Sequence, residues 1–442
     1  MKRVSFIRAA VGGIIKQIQM FALRVYKKML PIAVRHLIAE LAIVRRLRCS
    51  FAHLSHRMSG KCVVWFFVQR RALWPNYASI YDAMRNDSSF EAEVLVAPKR
   101  TPHSKEYDFK EYAELQADLA RMQIPFRKLY DERGGYPIIP LDYGIPDVVF
   151  LSTPYEDQNI YTCRSQFWKT IAKIAYVPYG ILLANLPQIQ YQLPFFKNCW
   201  RIFVESEAHK ELYRKHNHEI YDRTVLTGHP KLDAYLKPAK SAGLWKLTGA
   251  RKRIIWAPHF TVSDTVIITF SNFIIYYDFF VQLARELPDV EFILRPHPEL
   301  FEFMVSVGLR TRDESNAYRD VFNALPNGQV YEGANIFEMF KESDALILDS
   351  IGFLAEYLPT QKPICFLESD RRQKLNEVGE ALLRAYYCAW SEEEIDRFIR
   401  DVVLNERDVL LEDRLAVMRQ HILLPSHGAG NRIMNNIRKM DA

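Results

Sequence analysis

Short, unbroken apolar runs recur along the chain from Lys61 onward, and they predict buried strands. The first is Cys62-Val-Val-Trp-Phe-Phe-Val68, the kind of run found where a strand is covered on both faces of a parallel sheet. Amphipathic stretches separate such runs, which predicts alternating strands and helices. Further strands are predicted at residues 92–97, 147–151, 174–177 and 201–204.

The same alternation begins again after a polar segment, residues 235–251. This segment contains Pro238, Gly243 and Gly249, so it is predicted to link two domains. Strands are then predicted at residues 253–257, 290–294, 328–331, 345–348 and 363–367. From Arg371 the pattern is mostly helical.

These two series predict an α/β chain with two Rossmann-like, doubly wound domains facing across a cleft. The length of 442 residues agrees, since it exceeds what one ordinary core supports. The predicted domains are 59–238 for the acceptor and 250–425 for a nucleotide donor, followed by a C-terminal tail at 426–442. A dehydrogenase is disfavoured because no Gly-x-Gly-x-x-Gly follows a predicted strand.

Residues 1–58 form a separate, basic segment. The first 60 residues hold twelve Lys and Arg against Glu40 alone, a net charge of +11, while the whole chain carries +7. The remainder is therefore acidic by four charges. Apolar residues recur in this segment at helical spacing: Ile7, Val11, Ile14, Ile15, Ile18, Phe21, Ala22 and Val25.

This pattern favours an amphipathic helix lying on an anionic membrane surface. Basic residues interrupt every stretch of about 18 residues, so a membrane-spanning helix is not predicted, and no cleavage site of small residues indicates a secretory signal. A helix packed on the protein body and a mitochondrial presequence remain alternatives. No nucleic-acid-binding module follows the segment.

Composition and cysteine spacing narrow the chemistry. Hydrophobic residues make up 49% and charged residues 25%, which is typical of a globular protein. The six cysteines are scattered without a Cys-x-x-Cys pair, which favours free thiols in a reducing compartment. The histidine loops at strand ends show no His-x-His or His-x-x-x-His spacing, so we expect neither a metal nor a cofactor.

Four loops at predicted strand ends concentrate histidine, proline and small polar residues. They are Leu226-Thr-Gly-His-Pro230, Trp256-Ala-Pro-His-Phe-Thr261, Leu294-Arg-Pro-His-Pro-Glu299 and Leu348-Asp-Ser-Ile-Gly352. Ligands of open parallel sheets bind at such carboxyl ends. In the third loop the fork of Arg295 suits phosphate oxygens, and His297 could donate to a phosphate or transfer a proton. His229 and His259 join His297 as candidate catalytic residues.

The fourth loop suits a diphosphate. Ser350 and Gly352 begin a predicted helix, whose free N–H groups attract anions. Asp349 would cap that helix or orient a neighbour. Glu356, one turn inside, could accept the ribose hydroxyls of a nucleotide, or it could be a solvated helix charge.

Residues from about 173 to 425 resemble the CDP-glycerol glycerophosphotransferase family, which includes teichoic-acid primases, polymerases and related capsule enzymes. The resemblance is carried by Leu226-Thr-Gly-His-Pro-Lys-Leu-Asp233, Trp256-Ala-Pro-His-Phe-Thr261, Leu294-Arg-Pro-His-Pro298, Asp344-Ala-Leu-Ile-Leu-Asp-Ser-Ile-Gly-Phe-Leu-Ala-Glu-Tyr357 and Lys362-Pro363. It implies a GT-B fold and attack of an acceptor hydroxyl on the β-phosphate of CDP-glycerol or a similar donor, with release of CMP. It also implies that His297 is the donor-site histidine and Ser350 the helix-opening serine.

One departure from the family concerns its Trp-His-Gly segment, whose histidine is a candidate base. The corresponding stretch here is Val177-Pro-Tyr-Gly180, so Tyr179 stands in place of that histidine and, with Gly180, marks the acceptor side. An unperturbed tyrosine, with a pKa of about 10, is a poor base at neutral pH. His229 or His259 takes that role, or the acceptor or the activity has diverged.

We therefore predict a peripheral enzyme of the bacterial inner membrane's cytoplasmic face. It would transfer a polyol phosphate from CDP-glycerol or a similar CDP-polyol to a hydroxyl of a membrane-anchored cell-surface glycan. One alternative is a nucleotide-sugar glycosyltransferase of capsule or lipopolysaccharide synthesis. Another is an inactive membrane-bound scaffold of a polysaccharide assembly complex, for which Tyr179 is the best support.

Overall fold

Two parallel sheets, each flanked by helices, form two compact units of the chain. The computed structural model describes residues 42–100, 106–238, 243–263, 270–333 and 335–441. Of the described residues, the first unit takes in those up to Tyr179, Gln188–Asp233 and those from Leu424 on. The second consists of Gly180–Pro187 and Ala234–Leu423. The predicted α/β class with two Rossmann-like domains is thus confirmed.

The first unit is built on a sheet of seven parallel strands. In chain order the strands of this unit are β1 (Cys62–Val68), β2 (Phe90–Val96), β3 (Phe126–Lys128), β4 (Tyr130–Asp131), β5 (Tyr136–Pro137), β6 (Val148–Phe150), β7 (Lys173–Tyr176), β8 (Arg201–Val204) and β9 (Thr224–Leu226). The sheet order is β3-β2-β1-β6-β7-β8-β9, while β4 and β5 pair separately. The order reverses between β1 and β6, which is where ligand crevices open in doubly wound sheets.

Helices pack against this sheet and bury its aromatic core. They are α1 (Ala42–Ser59), α2 (Pro75–Arg85), α3 (Phe109–Arg121), α4 (Ser165–Trp168), α5 (Pro187–Gln190), α6 (Phe195–Asn198) and α7 (Glu207–His216). Asp108 caps α3 by accepting the N–H of Glu111, as capping carboxylates do. In the core, the ring of Phe66 on β1 stacks on Phe150 of β6 at 4.8 Å between centroids.

The second unit repeats the same winding with six parallel strands. They are β10 (Lys252–Ala257), β11 (Val290–Leu294), β12 (Gly328–Val330), β13 (Ala345–Leu348), β14 (Ile364–Leu367) and β15 (Tyr387–Ala389), in the order β12-β11-β10-β13-β14-β15. Its helices are α8 (Phe273–Glu286), α9 (Leu300–Ser306), α10 (Arg312–Ala324), α11 (Ile336–Glu342), α12 (Gly352–Tyr357), α13 (Glu377–Leu383), α14 (Glu392–Arg397) and α15 (Leu411–His421). The order reverses between β10 and β13, so the loops after these strands border the ligand position.

The C-terminal segment is a packed helix, and its prediction as a tail at 426–442 is wrong. Helix α16 (Ala429–Arg438) belongs to the first unit and packs on α2. The carboxylate of Asp233 accepts the N–H groups of Ala429 at 2.7 Å and Gly430 at 2.8 Å. Gly428 has a φ of 83°, a conformation that glycine adopts without a Cβ penalty. Asp233, the last residue of the middle segment of the first unit, therefore anchors α16.

Two further segments depart from the predicted domain bounds. Residues Gly180–Pro187, predicted in the first domain, belong to the second unit, where Asn376 donates from its side chain to the carbonyl of Leu182 at 2.7 Å. Most of the predicted membrane segment 1–58 lies outside the described residues, and α1 shows its last part. No described helix combines the length and apolar character needed to cross a membrane.

Candidate functional site

The carboxyl edge of the second sheet brings His259 and His297 side by side. The N–H of Arg295 donates to the carbonyl of Trp256 at 2.7 Å, and that of His297 donates to Pro258 at 3.0 Å. These bonds extend the pairing of β10 and β11 beyond the strands. The two imidazole centroids lie 5.2 Å apart. We call these two residues the histidine pair.

Asp349, at the end of β13, fixes the loop that carries His259. Its carboxylate accepts the backbone N–H groups of His259 and Asn272, each at 2.6 Å. Asn272 in turn donates from its side chain to the carbonyl of Leu367 at 3.0 Å. Asp349 is fully buried, and burial raises its pKa to about 7 against the opposing effect of those N–H donors. The carboxylate thus ties together the ends of β10, β13 and β14.

Hydrogen bonds assign the proton positions on the histidine pair. The Nδ1 atom of His259 accepts the N–H of Thr261 at 3.3 Å and lies 2.8 Å from its hydroxyl oxygen. The Nδ1 atom of His297 accepts the N–H of Glu299 at 3.2 Å. A neutral imidazole that accepts at Nδ1 carries its proton on Nε2. Both rings therefore carry a proton on Nε2.

Burial keeps His259 neutral. It lowers the pKa of His259 well below its usual range, and the neighbouring His297 lowers it further. The ring of Phe260 flanks both imidazoles, with centroids 4.6 Å from each. Fixed N–H donors in such a sheltered place bind developing negative charge without reorganising. The arrangement suits a phosphate group better than it suits proton abstraction.

Arg295, predicted to bind the donor phosphate, makes its main contacts with the residue that follows β12. Its guanidinium donates to the carbonyl of Tyr331 at 3.1 Å and lies 5.8 Å above the ring of that tyrosine. The side chain is 6% exposed. These contacts connect the ends of β11 and β12, so they favour a role in positioning His297. Direct phosphate binding by Arg295 stays a prediction.

The residues predicted on the fourth loop lie along the same edge of the sheet. Ser350 directly follows Asp349 and is mostly buried, and Gly352 begins α12 with its backbone exposed. Helix α12 has only six residues, so its dipole is short. Glu356 is 2% exposed, which excludes a solvated helix charge. Phosphate binding by Ser350 and Gly352 and ribose binding by Glu356 stay predictions.

His229, the third candidate catalytic histidine, lies in the first unit, where backbone groups contact both of its ring nitrogens. Its Nδ1 accepts the N–H of Lys231 at 3.2 Å, and its Nε2 lies 3.0 Å from the carbonyl of Pro178, to which it donates. Burial, aided by the charge of Lys231, lowers its pKa to about 3. Both ring nitrogens are engaged by backbone. We therefore interpret His229 as a clamp between the ends of β7 and β9 rather than as a base.

Tyr179, which stands where the family has histidine, is half-buried beside another tyrosine. Its hydroxyl lies 3.0 Å from that of Tyr155. Burial raises the pKa of Tyr179 above its usual value, so it is an even poorer base than an exposed tyrosine. Gly180 follows at the point where the chain enters the second unit. An acceptor role for these two residues stays a prediction.

The structure adds polar residues at the carboxyl edge of the first sheet that the sequence reasoning missed. Gln69 follows β1, and Ser152 and Thr153 follow β6, the two strands at the switch point. The hydroxyl of Ser152 donates to the side-chain oxygen of Gln69 at 2.9 Å. Within the described chain, the Nε2 of Gln69 and the hydroxyl of Thr153 are buried without a hydrogen-bond partner. Polar residues directly after an apolar run were the available signal.

Comparisons with known proteins show the fold. No protein-family model matches the chain, and no curated protein matches it. Among solved structures, Staphylococcus aureus MnaA with UDP matches at 14% identity and a TM-score of 0.55, covering 86% of this chain and 96% of that one. The UDP-GlcNAc 2-epimerase of Neisseria meningitidis bound to UDP-GlcNAc matches at 13% and 0.52, covering 86% and 100%.

A third similar structure is the wall teichoic acid polymerase TagF, in a variant soaked with CDPG. It matches at 14% identity and a TM-score of 0.55, covering 92% of this chain and 96% of that one. The chain has the fold of these structures. At such identities the similarity concerns the arrangement of the chain alone, and the chemistry must be argued from the residues.

Proposed function

We propose that this chain transfers a polyol phosphate from a CDP-polyol, such as CDP-glycerol, to a hydroxyl of a membrane-associated cell-surface glycan. The observation that carries the proposal is the histidine pair, two imidazoles with Nε2–H donors held at the switch point of the second sheet. A diphosphate is the ligand whose oxygens such paired donors match. The TagF structure soaked with CDPG has the same fold, which adds support.

In this reaction the acceptor oxygen forms a bond to the β-phosphorus of the donor. The bond between that phosphorus and the oxygen bridging to CMP breaks, CMP leaves with the bonding electron pair, and the acceptor hydroxyl releases its proton to water. His259 and His297 would donate to oxygens that gain charge in the transition state and on the departing CMP. Asp349 acts through the loop of His259, because it accepts that residue's backbone N–H.

We propose that the glycan acceptor binds at the polar edge of the first sheet. Gln69, Ser152 and Thr153 supply amide and hydroxyl groups there, and Tyr155 and Tyr179 add two phenols. Buried polar atoms without protein partners are sites where ligand hydroxyls or water bind. This composition suits a polyhydroxylated acceptor.

The test is to incubate the purified protein with CDP-glycerol or CDP-ribitol and a glycan acceptor, and to measure CMP by chromatography. His297→Ala should lower CMP release about 10²–10³-fold, the usual loss for a donor to transition-state charge. His218→Ala, on an exposed turn far along the chain from this loop, is the matched control and should release CMP at the wild-type rate. Full activity of His297→Ala would reject the proposal.

The same assay separates a second candidate, a glycosyltransferase that uses a nucleotide sugar. That candidate is favoured by the MnaA structure, which holds UDP, and the Neisseria structure, which holds UDP-GlcNAc. It would release a nucleoside diphosphate because the bond broken is the one to the sugar carbon. Nucleoside diphosphate from a nucleotide sugar, with no CMP from either CDP-polyol, would decide for it.

We also propose that helix α1 places the enzyme on the cytoplasmic face of an anionic membrane. Leu47, Phe51 and Leu54 follow one another at helical spacing and are 55%, 57% and 50% exposed. Arg46 and Arg57 are exposed on the same helix. An apolar stripe with basic residues beside it suits an anionic bilayer surface.

Vesicle sedimentation tests this placement. The wild-type protein should pellet with vesicles containing phosphatidylglycerol, and Phe51→Glu should reduce the bound fraction several-fold. Ile275→Glu is the matched control, since Ile275 is 56% exposed but lies on α8. Equal binding of Phe51→Glu and the wild type would exclude the stripe as the membrane contact.

A further inference from the structure

Three side chains with metal-ligand chemistry meet where helix α1 packs on the first unit. His53 and His56 lie one turn apart on α1, and Asp147 directly precedes β6. None of them takes part in the proposed transfer reaction. Among the residues that the structure describes, these three are the only group of histidine, cysteine or acidic side chains whose ligand atoms lie close enough together to hold one metal ion.

The distances place the two imidazoles on the two oxygens of one carboxylate. The Nδ1 atom of His53 lies 2.7 Å from Oδ1 of Asp147, and the Nδ1 atom of His56 lies 2.9 Å from Oδ2. The candidate ligand atoms all fall within 4.8 Å of one another. Two ligands bound to one tetrahedral zinc ion at about 2.0–2.2 Å are about 3.3–3.6 Å apart, so each imidazole nitrogen would move less than 1 Å back from the carboxylate. Shifts of this size would admit one ion bound by all three side chains.

The hydrogen bonds of His53 show that a positive species belongs in this gap. Its Nε2 lies 3.0 Å from the carbonyl of Ile171, which can only accept, so Nε2 carries the proton of the neutral ring. The Nδ1 lone pair then faces a carboxylate oxygen. Either a second proton lies between these two atoms, or a metal ion beside them takes both as ligands after a small shift. A backbone carbonyl that accepts from the far nitrogen is the usual support of a metal-bound histidine.

His56 favours the metal over the proton. Its Nδ1 is buried and makes no directed hydrogen bond, although it lies 2.9 Å from Oδ2 of Asp147. That oxygen already accepts the N–H of Val63 at 2.8 Å. A proton on His56 would therefore be poorly aimed at the carboxylate. One shared cation accounts for both imidazole contacts, whereas a proton on His53 accounts for one.

We propose that His53, His56 and Asp147 bind one divalent transition-metal ion, with Zn²⁺ as the best match. Two imidazole nitrogens and a carboxylate suit Zn²⁺ and disfavour Mg²⁺ and Ca²⁺, which prefer all-oxygen ligands. The side chains are 32%, 20% and 12% exposed, so solvent reaches the site and water completes the coordination. The ion would fasten α1, and with it the basic N-terminal segment, to the first sheet.

The experiment uses the full-length protein, stripped with a chelator and titrated with Zn²⁺ in a calorimeter at pH 7.5. We expect one ion per chain, with His56→Gln binding at least 10-fold more weakly and the control His218→Gln binding like the wild type. Titration with Co²⁺ in place of Zn²⁺ should give visible absorption bands that reflect the ligand set. That signal should be lost in His56→Gln.

A second measurement keeps the proposal testable if the variants fold poorly. Zn²⁺ should raise the unfolding temperature of the stripped wild-type protein in proportion to the logarithm of its concentration, because it binds the folded state. Mg²⁺ at the same concentrations should not. The proposal is overturned if the wild type binds no Zn²⁺ stoichiometrically, or if His56→Gln, shown by circular dichroism to be folded, binds it equally well.

Discussion

The two sheets have the same strand order at their centres, yet their carboxyl edges carry different chemistry. In the second unit, two imidazoles lie side by side with their protons on Nε2, and a buried carboxylate fixes the loop of one of them, His259. In the first unit, the corresponding edge carries an amide, hydroxyls and two phenols, and its histidine is occupied by backbone. The same winding thus produces one edge suited to an anion and one suited to hydroxyl groups.

The contrast between His259 and His229 shows how loop context decides a histidine's role. Both follow a strand of a parallel sheet, and burial lowers the pKa of both. The ring of His229 bonds to backbone at both nitrogens, whereas that of His259 bonds to Thr261 at Nδ1 alone among the hydrogen bonds described. A histidine at a strand end is therefore a functional candidate only when a ring nitrogen remains for the ligand.

The largest effect is expected from removing the carboxylate that orders the second edge. Asp349→Ala leaves the N–H groups of His259 and Asn272 buried without an acceptor, which should cost about 2–5 kcal/mol of unfolding free energy. Chemical denaturation measures this. Asp233→Ala, which also removes an acceptor of two backbone N–H groups, should destabilise the protein similarly.

Nucleotide affinity then distinguishes the two aspartates. Under conditions where both variants remain folded, Asp349→Ala should weaken CDP-glycerol binding, and Asp233→Ala should leave it unchanged. Equal losses of affinity in the two variants would contradict the proposal that CDP-glycerol binds at the carboxyl edge of the second sheet.

His229 should contribute pH-dependent stability. Its pKa is about 3 in the folded protein and about 6.5 when unfolded, so below pH 6.5 the unfolded chain binds a proton that the folded chain does not. Stability is therefore lost as the pH falls through this range, by about 2 kcal/mol at pH 5. Denaturation of the wild type and His229→Gln at pH 7.5 and 5 measures the difference. Between pH 7.5 and 5, the variant should lose about 2 kcal/mol less unfolding free energy than the wild type. An identical loss would contradict the interpretation of His229 as a buried, neutral clamp.

The smallest effect is expected at Tyr179. Tyr179→Phe removes one hydroxyl contact with Tyr155, worth about 0.5–1.5 kcal/mol. Because burial raises the pKa of Tyr179, it should not act as the base, and CMP release should fall less than 10-fold with an unchanged pH profile. A loss of more than 100-fold would show that the phenol takes part in the chemistry.

The sequence predicted the sheets well because buried parallel strands are unbroken apolar runs. Strands β1, β8, β11 and β13 have the predicted bounds. It gave no bounds for β3, β9 and β15, which have three residues each and lie at sheet edges. It also missed the docking of α16, because the carboxylate that caps that helix comes from Asp233, nearly 200 residues earlier. Local periodicity contains no information about such a distant contact.

The sequence located the candidate site, but it could not predict the proton positions of the histidines or the contacts that order their loops. Histidines in loops after strands gave the positions of His259 and His297. Their proton assignments depend on Thr261 and Glu299, and the order of their loops depends on Asp349 and Asn272. His53 and His56 carried a signal in their spacing on one helix face, but Asp147 completes their cluster only in the folded chain.

The measurement that tests the central claim most directly is the dissociation constant of CDP-glycerol for His297→Ala, compared with the wild type by calorimetry at pH 7.5. The histidine pair predicts that the variant binds at least 10-fold more weakly while its unfolding temperature stays close to that of the wild type. Unchanged affinity in the folded variant would show that the donor phosphates do not bind at this edge of the second sheet.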